Sequence, residues 1–244
     1  MRKILTKILI GIFLLFLIPK TSFAISVPIL MYHYIANNPN SKDTQRDALS
    51  VSPDKFEAQL DYLNKNGYTT ISLDTLYGIF HGQVSAPVKP VILTIDDGYD
   101  NFFTIAYPIL RKYNIHVVSF ISTGLVGTGY YMNWNQIREI QSSGLVTFES
   151  HTITHPNLVS LGAKELERQL VESKNILQSQ TGYPVNFIAY PYGASNKAIR
   201  AAAQKAGYVG GLGTWFGKAT GPSLSMPRIR VSGAWSIKEF ASRL

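Results

Sequence analysis

Short runs of consecutive apolar residues alternate along this chain with stretches in which apolar residues recur every three or four positions. The runs at 27–32, 68–72, 91–95, 115–121, 145–149, 185–190, 208–212 and 228–231 read as strands. Several are apolar without interruption, the pattern of a strand covered on both faces. Between them, Phe56, Leu60 and Leu63 share one helical face behind a Ser52-Pro53 start. Leu166, Leu170 and Leu177 stripe the longest helix, 164–180, and further helices are expected at about 101–113, 134–142, 196–206 and 237–244. Gly67, Gly144, Gly182 and Gly207 each stand between a helix and the next strand. That is where a left-handed residue ends a helix.

Seven or eight β-α units predict a parallel sheet. Polar positions choose its form. His33, the Asp96-Asp97 pair, His151 and Tyr192 fall just after the carboxyl ends of four different predicted runs. A barrel gathers such residues from several strands onto one face, whereas an open sheet concentrates them at a reversal of strand order. The expected fold is therefore α/β, a single TIM-like (β/α) barrel with seven to eight parallel strands. It is distorted or incomplete because the chain is short for eight full units.

The amino-terminal segment has a different pattern. Arg2, Lys3 and Lys7 precede an apolar stretch from Ile8 to Pro19, and Ser22-Phe23-Ala24 supplies small residues. This reads as a secretory signal peptide, 1–24, followed by one catalytic domain, 25–244. The apolar run is shorter than the roughly 20 residues a spanning helix needs. Part of the formal charge of +8 belongs to that leader, which leaves 19 basic against 15 acidic residues in the remainder. The mild excess suits an anionic cell surface and, with no basic block, gives no reason to expect nucleic acid as a partner. A monomer is expected. The chain has no cysteine, so disulfides, thiol catalysis and thiolate metal sites are excluded.

The chemistry lies in two short segments. Thr94-Ile95-Asp96-Asp97-Gly98 ends a buried-looking strand with adjacent carboxylates, and His151-Thr152-Ile153-Thr154-His155-Pro156 follows another strand. One carboxylate and two imidazoles make a divalent-metal site with open positions for water. Neighbouring side chains on extended backbone point to different sides, so one Asp can hold the ion while the other acts as a base. Zn²⁺ is the default ion for such a set, and Fe²⁺, Co²⁺, Ni²⁺ and Mn²⁺ also fit it. His33 ends the first strand on the same expected face, whereas His81 and His116 have no such placement and read as structural.

These segments resemble the motifs of the polysaccharide deacetylases, the NodB-like carbohydrate esterase family four, over essentially the whole chain after position 24. The resemblance implies that Asp96 is the general base, that Asp97, His151 and His155 hold the metal, and that the Tyr192 N–H faces the oxyanion. The family's R-x-P-[YG] motif falls on Ala189-Tyr190-Pro191-Tyr192-Gly193, with alanine where the family has arginine. By resemblance Arg228, rather than Arg230, replaces it in orienting the base. No histidine follows His155, so the family's late catalytic acid is absent. Met31-Tyr32-His33 instead matches the branch that deacetylates poly-β-1,6-N-acetyl-D-glucosamine, the intercellular-adhesion type, and this implies His33 as the acid. The resemblance thus implies a secreted, cell-surface hydrolase acting on a biofilm polysaccharide. Peptidoglycan or chitin oligomers are the alternative substrates, and an inactive, metal-stabilised carbohydrate-binding module is the alternative of another class.

Overall fold

The structure, a computed structural model, describes residues 25–40 and 42–244. The expected leader lies outside the described residues. In chain order the strands are β1 (Ile29–Tyr32), β2 (Tyr34–Ile35), β3 (Ser50–Val51), β4 (Thr69–Thr70), β5 (Pro90–Ile95), β6 (Val117–Ile121), β7 (Val146–Ser150), β8 (Phe187–Ala189), β9 (Gly210–Leu212) and β10 (Ile229–Arg230). The α-helices are α1 (Thr44–Leu49), α2 (Pro53–Lys65), α3 (Leu73–Phe80), α4 (Tyr107–Tyr113), α5 (Trp134–Ser142), α6 (Ala163–Thr181), α7 (Lys197–Lys205) and α8 (Ile237–Ala241).

The main sheet runs β10-β1-β5-β6-β7-β8-β9, with all its pairings parallel. β4 pairs with the start of β5, and Thr70 Oγ1 accepts the His116 N–H at 3.1 Å. β5 and β6 consequently pair only at Thr94–Val118 and Ile95–Ser119. The two ends of the path curl together and meet at one bridge, Leu212 to Met226. This is an incomplete (β/α) barrel, in keeping with the strand pattern and the polar residues at the strand ends.

Two-residue alternation along the strands divides the apolar residues into two cores. Ile29, Ile92, Val118, Phe120, Phe187, Ala189 and Leu212 pack together inside the curl. Leu30, Val91, Leu93, Ile95, Val117, Val146 and Phe148 face outward, onto helices that contribute Leu60, Leu110, Ile140, Leu170 and Leu177. Each buried Leu, Ile or Phe contributes roughly 1.5–3 kcal/mol relative to exposure, so the doubly covered strands account for much of the stability. The same alternation carries function. Counting by twos from Ile29, Ile92 and Glu149 reaches His33, Asp96 and His151, which brings all three toward the interior at the carboxyl rim.

Three local features depart from the sequence pattern. The run at 68–72 forms only the two-residue β4, because Ser72 accepts the Thr75 N–H at 3.0 Å and starts α3, a helix the pattern does not signal. Between β1 and α2 the chain makes an excursion in which β2 pairs with β3 around α1. Those elements are too short to show a period. The helix expected at 101–113 begins as a π-turn, Phe102–Ala106, in which the Tyr107 N–H bonds Phe102 O five residues back. Pro108, which lacks an N–H, follows immediately and cannot supply the ordinary bond.

Candidate active site

Asp97, His151 and His155 present one ligand atom each within 4.8 Å of one another. Asp97 Oδ1 stands 3.2 Å from His151 Nε2 and 3.4 Å from His155 Nε2, yet it is buried and accepts no well-aligned hydrogen bond. His151 Nδ1 lies 2.7 Å from Ala189 O. A carbonyl only accepts, so Nδ1 carries a hydrogen and Nε2 is the nitrogen turned toward Asp97. Burial and the neighbouring His151 push His155 down to about 4, which keeps it neutral. Burial would raise the Asp97 carboxyl, but a proton shared with His151, whose own pKa Asp97 raises, holds it well below the ordinary range. A buried carboxylate oxygen facing two imidazole Nε2 atoms, an arrangement that otherwise needs a proton between them, fits a divalent cation.

The backbone is bent to make this set. Six non-glycine residues among those described have positive φ, and four of them are Asp97, Thr152, His155 and Tyr192. Such conformations cost of order 1–3 kcal/mol each and persist only when the surroundings hold them. For the histidine loop, the holder is Gln169 of α6. Its Oε1 accepts the N–H groups of Ile153 at 2.9 Å and Thr154 at 3.1 Å, while its Nε2 donates to Thr154 Oγ1 at 2.9 Å. Thr152 Oγ1 also accepts the His155 N–H at 3.1 Å. At the other wall Gly98 has φ +81 and its missing Cβ would meet Ile121 Cδ1 at 2.9 Å, so only glycine fits this exit from the Asp-Asp pair.

Asp96 has a different partner. Arg228, fully buried, donates from Nη1 to Oδ1 at 2.8 Å and from Nη2 to Oδ2 at 2.7 Å, the bidentate fork. Its remaining donors reach Gly213 O at 2.8 Å and Thr94 Oγ1 at 3.0 Å. Burial would raise the Asp96 carboxyl, but the Arg228 charge and hydrogen bonds override it and keep the group ionised. Arg230, two residues on, is exposed at the cleft wall and makes no such contact.

His33 Nε2 is 3.9 Å from Asp96 Oδ2, beyond hydrogen-bond reach but on the same side of the cleft. Burial lowers its pKa, and Asp96 and Asp97 work in the opposite direction. The Tyr192 ring packs edge-on against His155, centroids 4.7 Å apart, and the Tyr192 N–H has no hydrogen-bond partner among the described residues. His33, Asp96, Asp97, His151, His155 and Tyr192 all line one cavity of about 600 Å³, with Arg228 buried beneath it. His81 and His116 lie away from it.

Sequence reading missed Gln169, Thr94, and a row of tyrosines at the cleft wall: Tyr34, Tyr99 and Tyr131. For Gln169 a signal existed, a polar residue on the stripe of Leu166, Leu170 and Leu177 that is 1% exposed. Thr94 opens the Asp-Asp motif without a role being read from it, and the three tyrosines carry no periodic or motif signal.

A spare carboxylate locked beside a ligand triad, in an open cleft at the carboxyl rim of a parallel barrel, defines a hydrolase that activates water. Comparison with known proteins narrows that class. The polysaccharide deacetylase family description matches residues 83–211, and the chain belongs to that family. It is 32% identical over 200 residues to the poly-β-1,6-N-acetyl-D-glucosamine N-deacetylase of Staphylococcus aureus, covering 75% of this chain and 68% of that one. Among solved structures, Streptococcus pyogenes deacetylase PplD, determined with acetate, superposes with a TM-score of 0.83 at 30% identity, covering 91% of this chain and 99% of that one. IcaB from Ammonifex degensii superposes with a TM-score of 0.78 at 25% identity over 89% and 96% of the two chains. The protein is a polysaccharide deacetylase of carbohydrate esterase family four, a hydrolase acting on amide bonds.

Proposed function

We propose that this enzyme removes acetyl groups from N-acetylglucosamine units of an extracellular polysaccharide, poly-β-1,6-N-acetyl-D-glucosamine in a biofilm matrix, and that it needs a divalent metal. The observation that carries the reading is the division of two adjacent carboxylates between two environments. Asp97 faces the Nε2 atoms of two imidazoles, and Asp96 is clamped by Arg228 a residue away.

A divalent ion held by Asp97, His151 and His155, with Zn²⁺ the first choice, would polarise the acetamide carbonyl and acidify water. The remaining work belongs to the chain. Asp96 accepts the proton of the attacking water, and the Arg228 fork fixes both its oxygens while keeping it ionised between turnovers. The Tyr192 N–H is free to donate to the oxyanion of the tetrahedral intermediate. His33 delivers a proton to the departing nitrogen, which an amide requires because its anion leaves poorly. Asp96 and His33 face the same cavity, so one takes the proton of water while the other supplies the proton to nitrogen. The products are acetate and a glucosamine unit.

Each unit that loses its acetyl group gains a protonatable amine, so the polymer becomes cationic and adheres to anionic cell surfaces. That role requires export, for which the 1–24 segment is the proposed signal, cleaved after Ala24. Export is checked by amino-terminal sequencing of protein recovered outside the cell. Substrate is checked by acetate release from β-1,6-N-acetylglucosamine oligomers, peptidoglycan, chitin oligomers and acetylated xylan, with and without chelator. Highest kcat/KM on the β-1,6 oligomers and loss of activity on chelation are expected. Preference for peptidoglycan would defeat the polymer assignment, and turnover indifferent to chelation would defeat the metal.

A further inference from the structure

Two arginines line the cleft without an acid partner among the described residues, the exposed Arg230 and the half-buried Arg46, and of the two Arg46 is the one held against an aromatic stack. Arg46 of α1 lies over Tyr34, its Cζ 3.5 Å from the ring centroid. Tyr34 stacks on Tyr99 at 4.0 Å with planes 20° apart, and Tyr99 on Tyr131 at 5.0 Å and 27°. Arg46 is hydrogen-bonded only through its backbone, N–H to Asp43 Oδ1 at 2.9 Å and carbonyl from Ser50 Oγ at 2.8 Å. Its Nε is buried without a partner.

Asp47, next to Arg46 in α1, is exposed and forms no ion pair with it, and the other acids nearby are engaged elsewhere. Asp43 caps α1, Asp96 is clamped by Arg228, Asp97 faces the two histidines, and Asp100 accepts Gln136 Nε2 at 2.9 Å. Among the described residues none of them compensates Arg46. The position of the charge matters as well. Tyr34, Arg46, Tyr99 and Tyr131 line both the catalytic cavity and a second one of about 570 Å³. They form the ridge between the two, so a polymer reaching from one cavity into the other must cross it.

A guanidinium stacked on a ring covers its face and leaves its N–H edge free. That edge matches the two oxygens of a carboxylate or phosphate. A sugar hydroxyl would use one donor and leave the charge uncompensated. We propose that Arg46, on its tyrosine stack, is a specificity-determining subsite for an anionic group, a carboxylate or a phosphate, borne by the glycan next to the sugar being deacetylated. The inference rests on reading the neighbouring cavity as the deacetylation site. It makes an N-acetylglucosamine polymer bearing such groups the better substrate over the bare polymer.

The test compares three β-1,6-linked N-acetylglucosamine tetramers on metal-loaded enzyme: unsubstituted, carrying one phosphate, and carrying one carboxylate-bearing acyl group. Wild type should favour a charged tetramer at least about tenfold in kcat/KM, mainly through KM, the effect of one charge-assisted fork. The preference should fall toward unity in Arg46→Gln and be partly kept in Arg46→Lys, which retains the charge without the fork. Which charged tetramer is favoured distinguishes phosphate from carboxylate. Equal rates on all three, or a preference that survives Arg46→Gln, would overturn the proposal. Calorimetric binding of the same tetramers to Asp96→Asn, with Arg46 intact or changed to Gln, reads the ratio without turnover. A charge preference there, with no acetate released by wild type, would refute the deacetylation site and leave the subsite standing.

Discussion

Replacing Arg228 with methionine tests the electrostatic core of the site. The substitution keeps an unbranched apolar stem but removes both prongs of the fork onto Asp96 and the bonds to Thr94 Oγ1 and Gly213 O. Asp96 is 1% exposed, so its charge is then left with only the imidazoles of His151 and His33 for compensation. Breaking a buried pair from one side costs about 3–5 kcal/mol. The carboxyl can escape by taking a proton, and doing so at pH 7 from an ordinary value near 3.9 costs about 4 kcal/mol at 1.36 kcal/mol per unit. The two routes agree, which sets the expected loss at about 3–4 kcal/mol. For a domain of this size that is a fall of roughly 6–16 °C in Tm.

The pH dependence follows with a definite sign. In the wild type, Arg228 holds the Asp96 carboxyl below its unfolded value, so this pair stabilises above the ordinary carboxylate range and the benefit is lost on acidification. In Arg228→Met burial is no longer opposed by the arginine, and the carboxyl rises. The penalty should therefore shrink to about 1.5 kcal/mol at pH 5, where a proton is cheaper to bind. Urea unfolding of the chelated proteins at pH 5, 6 and 7 measures it. A stability gap under 1 kcal/mol at pH 7, or one that does not narrow toward pH 5, would refute the reasoning.

Other expectations follow from the same geometry. His33→Gln should lower kcat on acetamido sugars by about 10²–10³ with the metal retained, and lower turnover of an activated aryl acetate far less, because that leaving group needs no proton. Equal losses on both substrates would remove His33 from the proton-transfer role. Alanine at Asp97, His151 or His155 should lower the bound-metal content measured by elemental analysis, and undiminished metal in all three would remove the triad as the site. Burial raises the Glu149 carboxyl well above its ordinary value, although the Phe187 and Asn186 N–H groups bond its Oε2 at 2.8 and 2.9 Å. A folded pKa above the unfolded one means stability is fully present below the ordinary value and lost as pH rises through the folded one. Glu149→Gln, which keeps an acceptor and drops the charge, should therefore match or exceed wild-type Tm at pH 8, and a lower Tm would contradict this.

Legibility differed between parts of the molecule for physical reasons. The strands β1, β5, β6 and β7 and the helices α2, α5, α6 and α7 are long enough for the two- or 3.6-residue period to show, and all appear near their expected places. Asp96, Asp97, His151 and His155 sit in motifs whose residue types admit few other uses. By contrast α1, α3, β2 and β3 are short and are set by caps and by pairing with distant segments, which no local pattern records. The tyrosine ridge and Arg46 belong to that second group.

By itself the order of residues determined the parallel sheet, the barrel-like gathering of strand ends, and the carboxylate and imidazole inventory, because hydrophobic period and side-chain chemistry are local properties. Only the folded chain decided which arginine meets Asp96. Arg228 and Asp96 are 132 positions apart, and both Arg228 and Arg230 share the parity that points a side chain toward the cleft. The curl of the sheet carries β10 onto β1, and that closure buries Arg228 beneath Asp96 while leaving Arg230 at the rim. Contacts made across the closing seam of a barrel depend on register and curvature, which are settled by packing all the strands at once.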